Sequence, residues 1–99
     1  MRCQIVLAPE ALEDLKALGA VPRAAVREAM EAHLRHEPSR TSRSRSRIKR
    51  LRGLSRPQYR LRVGDLRVFY DVTKRAVHVL AIVSKADAAR WLSEEGEEP

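Results

Sequence analysis

The chain reads as an α+β domain in which helices pack on one face of an antiparallel sheet. Three features give this reading. A short apolar run opens the chain, two stretches with apolar residues at helical spacing follow, and alternating residues on either side of Gly64-Asp65 then write a hairpin. With 99 residues, 43% of them hydrophobic and 33% charged, the sequence suits one globular domain spanning 1–99.

The first element is Cys3 to Leu7 (CQIVL), readable as a buried strand. Pro9 suits a first helical turn, with Glu10, Glu13 and Asp14 near the positive end of the helix. Leu12, Leu15 and Leu18 continue that helix, and Gly19 offers its stop. A second helix begins at Pro22 and runs to about His36, with Val26, Ala29, Met30, His33 and Leu34 as its apolar stripe. The short link between them predicts an antiparallel helical hairpin. Residues 38–47 (PSRTSRSRSR) hold no large apolar side chain and are expected to be a flexible loop. Ile48, Leu51 and Leu54 are anchors for an irregular segment. A three-stranded meander follows, Tyr59 to Val63, Leu66 to Val72 and Val77 to Val83, and then a short helix from Lys85 to Leu92 and an acidic tail at 93–99.

Several function classes drop out. No apolar run approaches the ~20 residues of a membrane span. The amino terminus turns acidic after five apolar residues, unlike a secretory signal, so a cytoplasmic location is expected. Cys3 is the single cysteine and is read as a small buried hydrophobe; no Cys/His cluster suggests zinc, and no metal or cofactor is expected.

Charge is unevenly placed. Net charge is +7, yet the third from Arg35 to Arg67 holds twelve Lys and Arg against Glu37 and Asp65 alone, while Glu94, Glu95, Glu97 and Glu98 crowd the carboxy terminus. Such polarisation is the footprint of a polyanion binder, although a charge run is more often a solvated surface. The hairpin sharpens the choice. A two-residue bend at Gly64-Asp65 sets Val63 opposite Leu66, Arg62 opposite Arg67, Leu61 opposite Val68 and Arg60 opposite Phe69. One face then collects Tyr59, Leu61, Val63, Leu66, Val68, Tyr70 and Val72; the other collects Arg60, Arg62, Arg67, Phe69 and Asp71. Like charges with Cβ atoms about 5 Å apart repel unless an anion lies between them. Guanidiniums beside an aromatic ring suit a phosphodiester and a stacked base. The competing reading is an ordinary exposed arginine face partly neutralised by Asp71. Because Arg67 points away from the apolar face, its removal is expected to spare the fold.

The runs RIKRLRGL, YRLRVGDLRVFYDV and VHVLAIVSKADAARWL resemble the RelE/ParE superfamily, the toxins of bacterial type II toxin–antitoxin pairs. The resemblance covers nearly the whole chain, is most specific over Tyr59–Tyr70, and implies a RelE-like fold. It implies two activities on one scaffold: ribosome-dependent cleavage of mRNA by attack of the ribose 2′-oxygen on the adjacent phosphate, or inhibition of DNA gyrase. In the RelE-type reading, two basic residues of the first meander strand fall on Arg60 and Arg62, and a transition-state arginine falls on Arg67. Lys49, Arg50, Arg52, Arg56 and Phe69 become RNA contacts. A late arginine of the family falls near Ala86, beside Lys85, and a stacking tyrosine falls at about Leu92, next to Trp91; neither is present. Those departures leave open a toxin fold with weak or lost activity.

Arginine stays protonated, so Lys85 is the one basic acceptor expected near the cluster. His78 faces Asp71 and is read as half of a surface His–Asp pair, about 13 Å along the strand from Arg67. The partners implied are the ribosome with its mRNA and a cognate antitoxin, a short, acidic, partly disordered chain. Trp91 and Leu92 either cover the hydrophobic body or line the antitoxin's groove.

Overall fold

The computed structural model describes residues 2–41 and 47–99. Five strands form one sheet in the order β1-β5-β4-β3-β2, with three helices on its faces. The meander is as expected, and the sheet extends beyond it on both sides.

β1 (Gln4–Leu7) lies parallel to β5 (Ala76–Ser84), with Ile5 opposite Val77 and Leu7 opposite Val79. It is an edge strand, so the expectation of a buried strand holds for one face only: Ile5 and Leu7 pack on the core, while Val6 remains 37% exposed. α1 (Pro9–Ala17) starts on its proline and buries Ala11 and Leu15. Asp14, placed by the sequence reading at the helix end, reaches the sheet. β1 ends opposite Val79, β5 runs on, and the Asp14 carboxylate accepts the otherwise unpaired N–H of Ile82 at 3.0 Å.

Gly19 does not stop α1 but caps the start of α2 (Ala20–Leu34). Pro22 therefore sits inside the first turn, where its missing N–H has no helical partner to lose. The Arg23 guanidinium donates to the Leu18 carbonyl at 2.7 Å and to that of Lys16, satisfying the end of α1 and fixing the helical hairpin. Arg35 closes α2, held by Glu31 at 2.7 Å and by the Cys3 carbonyl at 3.2 Å.

The expected flexible loop is anchored at its first residue. Pro38 is buried, and the Tyr70 hydroxyl donates to its carbonyl at 2.6 Å. Residues 42–46 of that loop lie outside the described residues. The segment read as irregular contains β2 (Ile48–Arg50), antiparallel to β3 (Tyr59–Val63), with Ile48 opposite Leu61. Three residues with a single apolar side chain are too few to show an alternating pattern.

The hairpin has the predicted register, with Val63 opposite Leu66 on β4 (Leu66–Val72) and Gly64 in the left-handed region at φ 56°. Between β4 and β5 the ladder slips at Phe69/Tyr70: Phe69 faces Ala81 while Tyr70 faces Val79, leaving Leu80 as a bulge. Val79 and Ile82, three apart, consequently both face the core. On one face Leu61, Val63, Val68, Tyr70, Val77, Val79 and Ile82 meet Leu15, Val26, Met30 and Leu34 of the helical hairpin.

α3 (Lys85–Glu95) departs from the expected single helical layer. It packs on β5 and β4, and its Trp91 stacks on Phe69, which lies outside the main core cluster on the arginine side of the sheet. Helices therefore cover both faces. No helix of the described residues is long and apolar enough to cross a membrane.

Two stability predictions follow from this packing. Leu61, fully buried in mid-sheet, should cost roughly 2–5 kcal/mol on replacement by alanine, read as a shift in urea midpoint. Tyr70→Phe strands the Pro38 carbonyl and should cost about 1–3 kcal/mol. Burial first, and then Tyr59, pushes the Tyr70 phenol upward from 10.0. With a folded value above the unfolded one, its contribution is complete below pH 10.0 and is lost as pH rises through the folded value. Stability of the wild type should fall more steeply in alkali than that of Tyr70→Phe.

Candidate anion-binding site

The outer face of the hairpin carries two rows of cations. Arg62 on β3 stands directly opposite Arg67 on β4. Arg60, two residues along, faces Phe69 on one side and Lys49 of β2 on the other. Strand partners share a face, so Lys49, Arg60, Arg62 and Arg67 project from the same side of the sheet. None of these four is ion-paired with a carboxylate among the described residues.

Each arginine is held differently. Arg62 is exposed. Arg67 is 9% exposed, and its Nη1 donates to the carbonyls of Gly64 and Leu66, each at 2.9 Å. It therefore braces the bend that positions it, and the expectation that its loss would spare the fold is corrected: removing it frees two turn carbonyls. Arg60 is half-buried, with its Nε enclosed and without a hydrogen-bond partner among the described residues. Its pKa is lowered, first by burial and then by the nearby Arg67 and Arg62 charges. A half-desolvated guanidinium among like charges is an unfavourable arrangement that an incoming anion would relieve.

The remaining basic residues do not form one patch. Arg50 points to the helix side, its guanidinium 5.1 Å from the centre of the Tyr59 ring, which itself stacks on Tyr70. Arg56 pairs with Asp71 at 3.4 Å, far along the sheet from Arg67, and Arg52 is exposed beyond β2. Phe69, expected as an open platform for a base, is 1% exposed, and its ring lies parallel to Trp91 at 4.9 Å, which occupies the stacking position.

Lys85 opens α3 and is exposed; its backbone N–H donates to the Asp65 carbonyl at 2.7 Å, tying the helix to the bend. It stands two residues beyond Val83, the strand partner of Arg67. His78 is opposite Asp71 as expected, but the two do not pair. Asp71 accepts from the Gln58 N–H at 2.8 Å and binds Arg56, and His78 Nε2 meets the Thr73 hydroxyl at 3.2 Å. Among the described residues no three His, Cys, Asp or Glu side chains are grouped to hold a metal ion. Lys49, an RNA contact expected from the resemblance, is brought beside Arg60 by the pairing of β2 with β3.

Residues 5–89 match the family of ParE toxins of type II toxin–antitoxin systems. The chain belongs to this toxin family. Solved structures share its fold. A RelE from Pyrococcus horikoshii, seen in complex with RelB, superposes with a TM-score of 0.68 at 23% identity, covering 86% of this chain and 97% of that one. A chain of the RelBE2 toxin–antitoxin complex of Mycobacterium tuberculosis gives a TM-score of 0.68 at 24% identity, with 85% and 99% covered. A free mutant RelE of Escherichia coli gives 0.68 at 24%, with 95% and 94% covered. No curated protein matches the sequence. In this ParE-family toxin the arginine cluster therefore sits on a scaffold common to RelE proteins.

The Phe69–Trp91 stack should be measurable by itself. Trp91→Ala is expected to destabilise the toxin by at least about 1 kcal/mol and to quench its near-ultraviolet dichroism. Unchanged melting and dichroism would mean that α3 does not rest on the sheet.

Proposed function

We propose that this toxin is a ribosome-dependent mRNA endoribonuclease that arrests translation. The observation that carries the reading is the trio Arg60, Arg62 and Arg67 on one face, with Arg62 and Arg67 directly opposed and Arg60 Nε enclosed without a hydrogen-bond partner among the described residues. A scissile phosphate over β3 would meet the exposed Arg62 directly, with the half-buried Arg60 beside it and the buried Arg67 adding positive charge from beneath. α3 covers the β4–β5 half of this face, so the RNA would lie over β3 and β2, where Lys49 extends the track.

In this reaction the ribose 2′-oxygen attacks the adjacent phosphorus, its proton passes to a base, and the 5′-oxygen leaves with a proton. The products are a 2′,3′-cyclic phosphate and a 5′-hydroxyl. The arginines neutralise the charge that builds on the phosphorane. Lys85, at the rim beside the bend, is the residue proposed to take the proton. Catalysis by fixed charges leaves positioning to the ribosome, so free RNA should be cut feebly. The chain's partner is proposed to be a cognate antitoxin, as the toxin–antitoxin complexes among its structural relatives suggest, and the basic face suits an acidic, partly disordered chain. Trp91 and Leu92, on the helix bordering the cradle, are candidates for its contacts. The cytoplasm, where ribosomes are, is the expected location.

A second reading, inhibition of DNA gyrase, is favoured by the family match itself and by the absence of the expected late arginine and tyrosine at Ala86 and Leu92.

Arg62 is the residue to test, because it is exposed and its side chain makes no ion pair among the described residues. Arg62→Ala should lower mRNA cleavage in a translating extract by roughly 10²–10³-fold with melting unchanged. Intact mRNA from the wild type, with DNA trapped on gyrase, would select the second reading.

A further inference from the structure

The acidic end of the chain folds back onto the basic segment between β2 and β3. Glu97 and Arg56 form an antiparallel bridge, with the Glu97 N–H donating to the Arg56 carbonyl at 2.7 Å and the Ser55 N–H donating to the Glu97 carbonyl at 2.8 Å. The Ser55 hydroxyl adds bonds to the Glu97 and Glu98 carbonyls at 3.1 and 3.3 Å. Gly96 makes this approach possible. A Cβ there would lie 2.5 Å from the Leu92 carbonyl oxygen and 3.2 Å from the Leu54 side chain.

This sets the acidic tail alongside a basic segment. Bridge partners carry their side chains on one side, so Glu97 stands beside Arg56, which already holds Asp71. Glu94 and Glu95 fill the last turn of α3, where no basic residue is present and the helix dipole disfavours acids. α3 and the tail together form a strap along the arginine side of the sheet. It is fastened at the bend by Lys85 to Asp65, in the middle by Trp91 on Phe69, and at the far end by Glu97 on Ser55 and Arg56.

The geometry points to an autoinhibitory contact: the carboxy-terminal glutamates are a resident competitor for polyanions on the basic segment carrying Arg52 and Arg56, and a bound single strand must displace them to use it. The identity of that strand as RNA rests on the nuclease reading; the competition itself does not.

Two variants separate charge from docking. In one, Glu94, Glu95, Glu97 and Glu98 become glutamine, which keeps the backbone bridge; in the other, Gly96→Val keeps every charge and breaks it. Binding to a fluorescent oligouridylate and elution from heparin are measured across a salt series, with melting curves as the folding control. The glutamine variant should bind about 5- to 10-fold tighter at low salt, with a steeper salt dependence. Gly96→Val should recover a substantial part of that gain, and Ser55→Ala, which removes only the hydroxyl bonds, a smaller part. A gain confined to the glutamine variant would reduce the effect to net charge and overturn the proposal, as would unchanged heparin elution in all variants. Shifted heparin elution without oligouridylate binding in any form would instead overturn the RNA reading and leave the strap standing.

Discussion

The bend at Gly64-Asp65 sets the chemistry of this molecule. A two-residue connection permits one pairing, and that pairing sends Leu61, Val63, Val68 and Tyr70 under the helical hairpin and three arginines to the other side. Slipping by one residue would exchange the two sets, burying guanidinium groups and exposing the core. The hydrophobic effect thus holds the arginines together against their own repulsion: separating them would require giving up the apolar face. Arg67 adds a local brace by bonding to Gly64 and Leu66. One member of the proposed cation trio is thus also a strut of the turn that presents it.

The outer face is less open than a bare hairpin implies. Trp91 seals Phe69, α3 roofs β4 and β5, and only the β3–β2 half offers guanidinium groups to solvent. A groove with one wall is better than a flat surface at fixing the direction of a bound strand. It also restricts base stacking to groups other than Phe69, consistent with positioning being left to a larger machine.

Much of this was legible in the sequence because alternation and turn chemistry agreed. Gly64-Asp65 and the strands beside it specify the pairs from Arg60–Phe69 to Val63–Leu66, and His78 stands opposite Asp71 as read. The failures have particular causes. β2 has one apolar residue in three, so nothing in it alternates. Gly19 resembles a helix stop but serves as the next helix's cap, because Pro22 is harmless in a first turn. The side of the sheet taken by α3 depended on Trp91 finding Phe69, a long-range contact that no local pattern records. The scattering of Arg50 and Arg56 away from the cluster likewise follows from tertiary partners, Tyr59 and Asp71.

The bulge at Leu80 has a mechanical meaning. It lies between the ladder segment that holds Arg67 opposite Val83 and the one that holds Asp71 opposite His78. Two stretches of paired strand separated by such a slack residue need not keep step with each other. Changes in length or composition around Thr73–Ala76 can be taken up there, like play in a coupling, before they reach the arginine-bearing end of the sheet.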